Sequence, residues 1–273
     1  MKDERSDPEL LDAIRGGDSL ALSALLARHA PTVMRFATKM CRDEADAEDV
    51  LQETLLAAAR NVRDLRGGAA VSTWLYTVAR SFCIKKRRRR KDQPAAFDPI
   101  DGESAPVLEA PSGRPDRTLE SHEIGAALQE ALAKLDDTSR EVIVLRDAEG
   151  LSAAETAEVL QTSVDAVKSR LHRARSALRK ALEPVLYAEP TVPSDPACPD
   201  IVNVLSRHLE GDVGPEACAA MEAHVATCGS CSHACESLRE VVATCRASGS
   251  EGLSPSAEAR VRDVLKQVIE ARA

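Results

Sequence analysis

Residues 152–175 read SAAETAEVLQTSVDAVKSRLHRAR, and this stretch decides the fold. Ser152-Ala-Ala-Glu155 is a capping box. The serine side chain suits the amide three residues on, and the glutamate reaches back to the serine amide. The helix it opens is short, with Ala157 and Leu160 apolar. Gln161-Thr162-Ser163 reads as a turn, and a long helix is expected from Val164 to Leu182. Short helix, tight turn and longer helix is helix-turn-helix spacing. At about 100° per residue, Val164, Val167, Leu171, Ala174 and Leu178 fall on one buried stripe. Lys168, Ser169, His172 and Arg173 face away from it. Such a face suits phosphates and base edges. A basic helix alone would as readily be solvated surface, but the capped helix and turn before it favour DNA.

The rest of the chain agrees with an all-α reading. It has 273 residues, of which 44% are hydrophobic and only 2% aromatic. Its cores must be built from Leu, Val and Ala, and it is rich in the helix formers Ala, Leu, Glu and Arg. A sandwich or barrel would want more aromatic and β-branched residues. No apolar run reaches the roughly 18 residues of a membrane span. The opening MKDERSDPELL lacks the apolar region of a signal peptide, so a cytoplasmic protein is expected, with no membrane partner.

The net charge of −8 hides a segregation. Residues 92–123 carry eight acids and two bases, and residues 186–273 carry thirteen acids and seven bases. The remaining two blocks, 1–91 and 124–185, therefore sum to +4. From Trp74 to Lys91 there are eight Lys or Arg and no acid. Partners are to be judged from these blocks, not from the whole-chain charge.

Punctuation divides the chain. Asp7-Pro8-Glu9 opens a helix and Gly16-Gly17 breaks it. A second runs from about Ser19 to Met40, and a third starts at Asp43 with an acidic first turn. A fourth runs from about Ser72 into the basic run Lys85–Lys91. The expected segments are a helical block at 1–91, an acidic Pro-rich linker at 92–117 and the helix-turn-helix block at 118–186. A second linker at 187–197, a Cys-rich block at 198–245 and a C-terminal helix within 246–273 follow.

Three motifs in order carry a family resemblance: Asp46-Ala-Glu-Asp49-Val50-Leu51-Gln52-Glu53-Thr54, then Ser72-Thr73-Trp74-Leu75-Tyr76-Thr77-Val78-Ala79-Arg80, then Val167-Lys168-Ser169-Arg170-Leu171-His172-Arg173. Over residues 1–185 the chain resembles the extracytoplasmic-function (ECF) RNA polymerase sigma factors. The resemblance implies two helical domains, sigma regions 2 and 4, on a flexible linker. It implies that Asp49, Gln52 and Glu53 meet the clamp of the β′ subunit of core polymerase, and that region 4 meets the β flap. Trp74, Arg80, Ser81, Lys85, Lys86 and Arg87 would serve the minus-ten element of promoter DNA. Strand separation needs a cationic surface and a pocket for a flipped base. Lys168, Ser169, Arg170, His172 and Arg173 would read the minus-thirty-five element. Family members often carry Asn where this chain has Ser81, which bears on the preferred base.

Six of the eight cysteines (Cys198, Cys218, Cys228, Cys231, Cys235, Cys245) lie in the last 76 residues. Cys41 and Cys83 sit in apolar helical stretches and read as structural thiols. Clustered Cys in a reducing compartment points to metal or redox chemistry. His224-x3-Cys228-x2-Cys231, with Cys198 upstream, is similar to the zinc-binding anti-sigma domain. Three thiolates and an imidazole suit Zn²⁺. His208, Cys218 and Cys235 are possible additional ligands. A sigma factor with a Cys-rich tail resembles the CorE-like sigma factors, which implies response to zinc, copper or cadmium, since thiolates favour soft ions. The tether would hold the tail at high effective concentration over the sigma blocks.

Other readings compete. The thiols would be a redox switch that loses its metal on oxidation, or an ordinary helix-turn-helix regulator would carry a structural zinc. An enzyme is not expected: no βαβ pattern surrounds the Cys-x-x-Cys, and the His-x-Glu and Pro-Cys of a zinc deaminase are missing.

Overall fold

Asp18 shows how the sequence sets the first turn. Gly17 takes a left-handed conformation (φ +96°) that reverses the chain. The Asp18 carboxylate then accepts from the Leu20 and Ala21 amides at 2.9 and 3.0 Å. The computed structural model describes residues 3–41, 43–61, 71–92, 115–186, 198–248 and 253–270. Every regular element among them is helical, and none is long and apolar enough to cross a membrane.

The first body comprises α1 (Asp7–Arg15), α2 (Ser19–Met40), α3 (Glu44–Asn61) and α4 (Val71–Asp92). Leu22, Leu25, Val33 and Phe36 of α2 recur at helical spacing. They bury against Leu51 and Leu55 of α3 and Leu75 and Tyr76 of α4. The second body is α5 (Pro115–Lys134), α6 (Asp137–Ile143), a π-helical turn at Val144–Ala148, α7 (Ala153–Leu160) and α8 (Val164–Leu186). The tail adds α9 (Ile201–Leu209), α10 (Pro215–Thr227), α11 (Gly229–Ala247) and α12 (Pro255–Glu270).

The capping box forms as read, with Glu155 N–H donating to Ser152 Oγ and Ser152 N–H donating to Glu155. Gln161 closes α7 in the left-handed region (φ +53°), which makes the tight turn. Three details differ from expectation. Helix α5 begins at Pro115, inside the segment expected to be a linker, because proline fits a first helical turn. Helix α8 runs on through Pro184 to Leu186. Val164, at its first position, is 37% exposed rather than part of the stripe, while Arg175 is buried beside it. Most of the first expected linker, 93–114, and the whole of the second, 187–197, lie outside the described residues.

The two bodies share one core, held by buried carboxylates. Glu149, just past the π-helical turn, has a fully buried side chain. It accepts from Tyr76 at 2.8 Å, Arg35 at 3.1 Å and Lys39 at 3.3 Å. Burial drives the Tyr76 phenol well above its ordinary value, with the Glu149 charge adding to it. Burial lowers the Lys39 pKa, and Glu149 opposes that shift. Glu141 of α6 accepts from Arg80 at 2.9 Å and Arg87 at 3.3 Å. Leaving any one of these charges unpaired in the interior would be costly, so they fix one register between the bodies.

The tail has two cores. Ile201, Leu205, Met221, Cys231, Cys235, Leu238 and Val242 form a small one of its own. Val241 and Cys245 of α11 and Ala257, Val261 and Val264 of α12 join the main core instead.

Candidate functional site

The tail brings four metal donors to one point. His224 lies in the last turn of α10, Cys228 at the break, and Cys231 in the first turn of α11. Cys198 arrives from just before α9. The donor atoms all lie within 4.8 Å of one another. Cys198 and Cys228 Sγ are 3.7 Å apart, and His224 Nε2 is 3.2 Å from Cys231 Sγ. Two thiolates at about 2.3 Å from a tetrahedral zinc stand roughly 3.8 Å apart, so the sulfur pair has the spacing of a bound set. The backbone N–H of Cys231, pointing at Cys228, lowers the Cys228 pKa. Burial pushes the Cys231 thiol up to about 12, and the adjacent thiols add to this. A cation bound here would displace the thiol protons, so metal binding at this set is coupled to proton release. The donor set fits zinc.

The possible additional ligands His208, Cys218 and Cys235, and the remaining tail thiol Cys245, lie elsewhere. Cys235 is one turn further along α11, buried in the tail's own core, and burial raises its pKa. It shares α11 with Cys231, but its side chain packs into that core instead of joining the four donors. His208 Nδ1 is 3.1 Å from Cys218 Sγ, a separate pair at the loop between α9 and α10. Cys245 is buried in the main core, and burial pushes it up to about 12.

The same loop closes over the exposed face of α8. Lys168 Nζ donates to Asp212 at 2.6 Å. His172 Nδ1 lies 2.8 Å from Ser206 Oγ. A cleft of about 600 Å³ remains between α8 and the tail, lined by Ser169 and Arg173 on one side and Asn203 and Arg207 on the other. Ser169 and Arg173 are exposed, and Arg170 is half-buried. Below this face, Arg175 donates to Asp147 at 2.5 and 2.9 Å, to Ser206 O at 3.1 Å and to Glu210 at 2.9 Å. Glu210 also takes Arg146.

His172 makes this contact sensitive to pH. Burial lowers its pKa and Arg175 adds to the shift, with Arg207 on the same side and Glu210 and Asp212 opposing. The covered state therefore prefers neutral His172. Its contribution is present above the ordinary value of about 6.5 and is lost as pH falls through the depressed value. Amide exchange in α8, corrected for intrinsic rate, should rise between about pH 7.5 and 5.5. His172→Gln should flatten that rise.

A second tail contact lies on α3. Arg260 of α12 donates to Glu48 at 2.8 Å, Asp49 at 3.0 Å and Gln52 at 3.2 Å. Asp49 also takes Lys86 of α4 at 2.5 Å, and these partners lower its pKa, Lys86 first. Glu53 remains exposed. Trp74 is half-buried against the core. Ser81 is exposed, its hydroxyl donating to Val78 O at 2.7 Å, and Lys85 is exposed. Arg80 and Arg87 are turned toward Glu141.

Sequence reasoning missed Glu141, Asp147, Glu149, Arg175, Glu210 and Arg260. Each acts across elements far apart in the chain. The one available signal was Arg175, a cation next to the apolar stripe of α8.

Comparison with known proteins agrees with this architecture. Residues 25–93 match the family profile Sigma-70 region 2, residues 125–178 match Sigma-70, region 4, and residues 198–232 match the profile described as "Putative zinc-finger". The ECF RNA polymerase sigma factor SigM of Mycobacterium tuberculosis is 38% identical over 179 residues, spanning 66% of this chain and 86% of that protein. The RNA polymerase sigma-H factor of Pseudomonas aeruginosa is 30% identical over 191 residues, spanning 68% of this chain and 98% of that protein. Among solved structures, the sigma factor RpoE of Bartonella quintana, in complex with the anti-sigma factor NepR, matches 58% of this chain and 94% of its own at 27% identity, with a TM-score of 0.47. With both sigma regions in order ahead of a zinc-finger region, the chain belongs to the ECF RNA polymerase sigma factors, which initiate transcription and are not enzymes.

Proposed function

We propose that this sigma factor is held silent by its own tail, and that zinc on Cys198, His224, Cys228 and Cys231 keeps the tail in place. One observation carries the reading: groups assigned to polymerase and promoter are paired with tail groups instead. Lys168 and His172, with Ser169, Arg170 and Arg173 beside them, would read the minus-thirty-five element. Asp212 and Ser206 hold the first two. Asp49, Gln52 and Glu53 would meet the β′ clamp, and Arg260 holds two of these. Arg80 and Arg87, which with Trp74, Ser81, Lys85 and Lys86 would serve the minus-ten strand, are held by region 4 itself through Glu141.

The tail's acidity thus has a use: Asp212 takes the Lys168 ammonium in place of a DNA phosphate or base, and Glu210 anchors the tail on Arg175 and Arg146 below. Tethering makes the competition intramolecular, so modest contacts suffice. The bound ion orders α9, α10 and the start of α11, because metal binding and local folding are linked. Only a signal with different affinity for the covered and uncovered states shifts the balance, and loss of the ion is such a signal.

The α12 contact is tested separately from the metal. Arg260→Glu in the zinc-loaded full chain puts a carboxylate against Glu48 and Asp49. Affinity for core polymerase, read by fluorescence anisotropy, should rise at least about fivefold, as about 1 kcal/mol of cover is replaced by repulsion. Unchanged affinity would mean that α12 does not cover the docking face.

A further inference from the structure

Cys41 caps the C-terminal end of α2 and Cys83 lies midway along α4, with their Sγ atoms 3.8 Å apart. They lie outside the tail and its metal set. We propose that this pair is a peroxide-reactive dithiol that closes to a reversible disulfide within region 2.

The geometry gives the two sulfurs different tasks. Cys41 is half-buried and open to a small oxidant, whereas Cys83 is fully buried and reaches only its neighbour. Bond formation brings the sulfurs from 3.8 Å to roughly 2.05 Å. The hydrogen bond from Cys83 lowers the Cys41 pKa, against burial and the nearby Asp46 and Asp43, and Arg87 assists. The same hydrogen bond, with burial, keeps the proton on Cys83. Cys41 is therefore the attacking thiolate and Cys83 the resolving thiol.

In the first step the Cys41 thiolate attacks one peroxide oxygen. The O–O bond breaks, a sulfenic acid forms and hydroxide leaves, taking up the proton that Cys41 released. In the second step Cys83 sulfur attacks Cys41 sulfur. The S–O bond breaks, the S–S bond forms, and the Cys83 proton leaves with the oxygen as water. Two thiols and one hydrogen peroxide give one disulfide and two waters, and a dithiol reductant reverses it. The bond would staple the joint between α2 and α3 to α4 two residues before Lys85.

The test uses the zinc-loaded full chain. It is treated with a slight excess of hydrogen peroxide, alkylated, digested and mapped by mass spectrometry. A peptide linking Cys41 to Cys83, two hydrogens lighter than its reduced parts and absent after dithiothreitol, is expected. In Cys83→Ala, Cys41 should accumulate as a sulfenic acid captured by dimedone. The proposal is overturned if Cys41 remains fully alkylated after the tail thiols have oxidised, or if it pairs with a tail cysteine. The mapping of the parent chain decides this even if Cys83→Ala does not fold.

Discussion

Cys228→Ser in the full chain should start transcription with core polymerase under conditions where the zinc-loaded parent is silent. The expected rise in run-off product is at least about tenfold, equal to a shift of about 1.4 kcal/mol in the covered state. The physical basis is the small size of the tail's own core, Ile201, Leu205, Met221, Cys231, Cys235, Leu238 and Val242. A core of that size does not usually hold a fold without a staple. Structural zinc contributes on the order of 10 kcal/mol in comparable small folds. Serine replaces a thiolate donor that stands 3.7 Å from Cys198 across the site, so most of that is lost. The main core of α1–α8 has its own packing and should persist, which circular dichroism would check. Metal content should fall in parallel, and a chelator should make the parent behave like the variant. Cys218→Ser, outside the four-donor set, should keep both zinc and silence. If Cys228→Ser loses its zinc and stays as silent as the parent, the tail is a passive zinc-stapled module.

Features legible in the sequence are those whose physics is local. Ser152 and Glu155 are three residues apart and satisfy each other, so the helix start could be read directly. His224, Cys228 and Cys231 span a single helix junction, and their spacing brings the donors together however the chain around them packs. Cys235 has the same kind of spacing but lies one turn beyond Cys231, where the packing of α11 decides whether its sulfur meets the other donors or the core. That packing is against α8 and α9, and no periodicity contains it.

Packing of the tail on the sigma blocks was legible only in outline. Tethering made contact between tail and sigma blocks an expectation, and the acid excess of residues 186–273 is the charge such a contact can use against basic faces. Which groups meet was not readable. Arg260 reaches Asp49 across 211 positions, and Lys39 reaches Glu149 across 110. A charge on an amphipathic helix looks like solvated surface until its partner is known. Arg175 stands between Ala174 and the next apolar position of α8, and such a cation is usually exposed. It is buried because Asp147, brought inward by the π-helical turn, and Glu210 neutralise it together.

Glu210→Ala should uncover the reader helix without removing the metal. Glu210 is the tail's share of the buried network, since its side chain is 3% exposed and bridges Arg175 and Arg146. Asp147 is region 4's own share and holds Arg175 through two hydrogen bonds. When the tail leaves, Arg175 keeps Asp147 and Arg146 gains water, so the uncovered state loses nothing by the substitution. The covered state loses the carboxylate held by Arg146 and one of the two carboxylates held by Arg175. Removing one side of such a pair costs about 3 kcal/mol, or roughly a hundredfold in the balance between states. Binding to a duplex carrying the minus-thirty-five element should tighten accordingly, and amide exchange in α8 should quicken, with zinc still bound. Glu210→Gln, which retains an acceptor, should fall between. Asp147→Ala is the opposing control: it strips Arg175 in both states, so it should lower the melting temperature of the sigma body rather than selectively release DNA binding. Equal behaviour of the Glu210 and Asp147 variants in both assays would show that the network holds region 4 together and does not latch the tail.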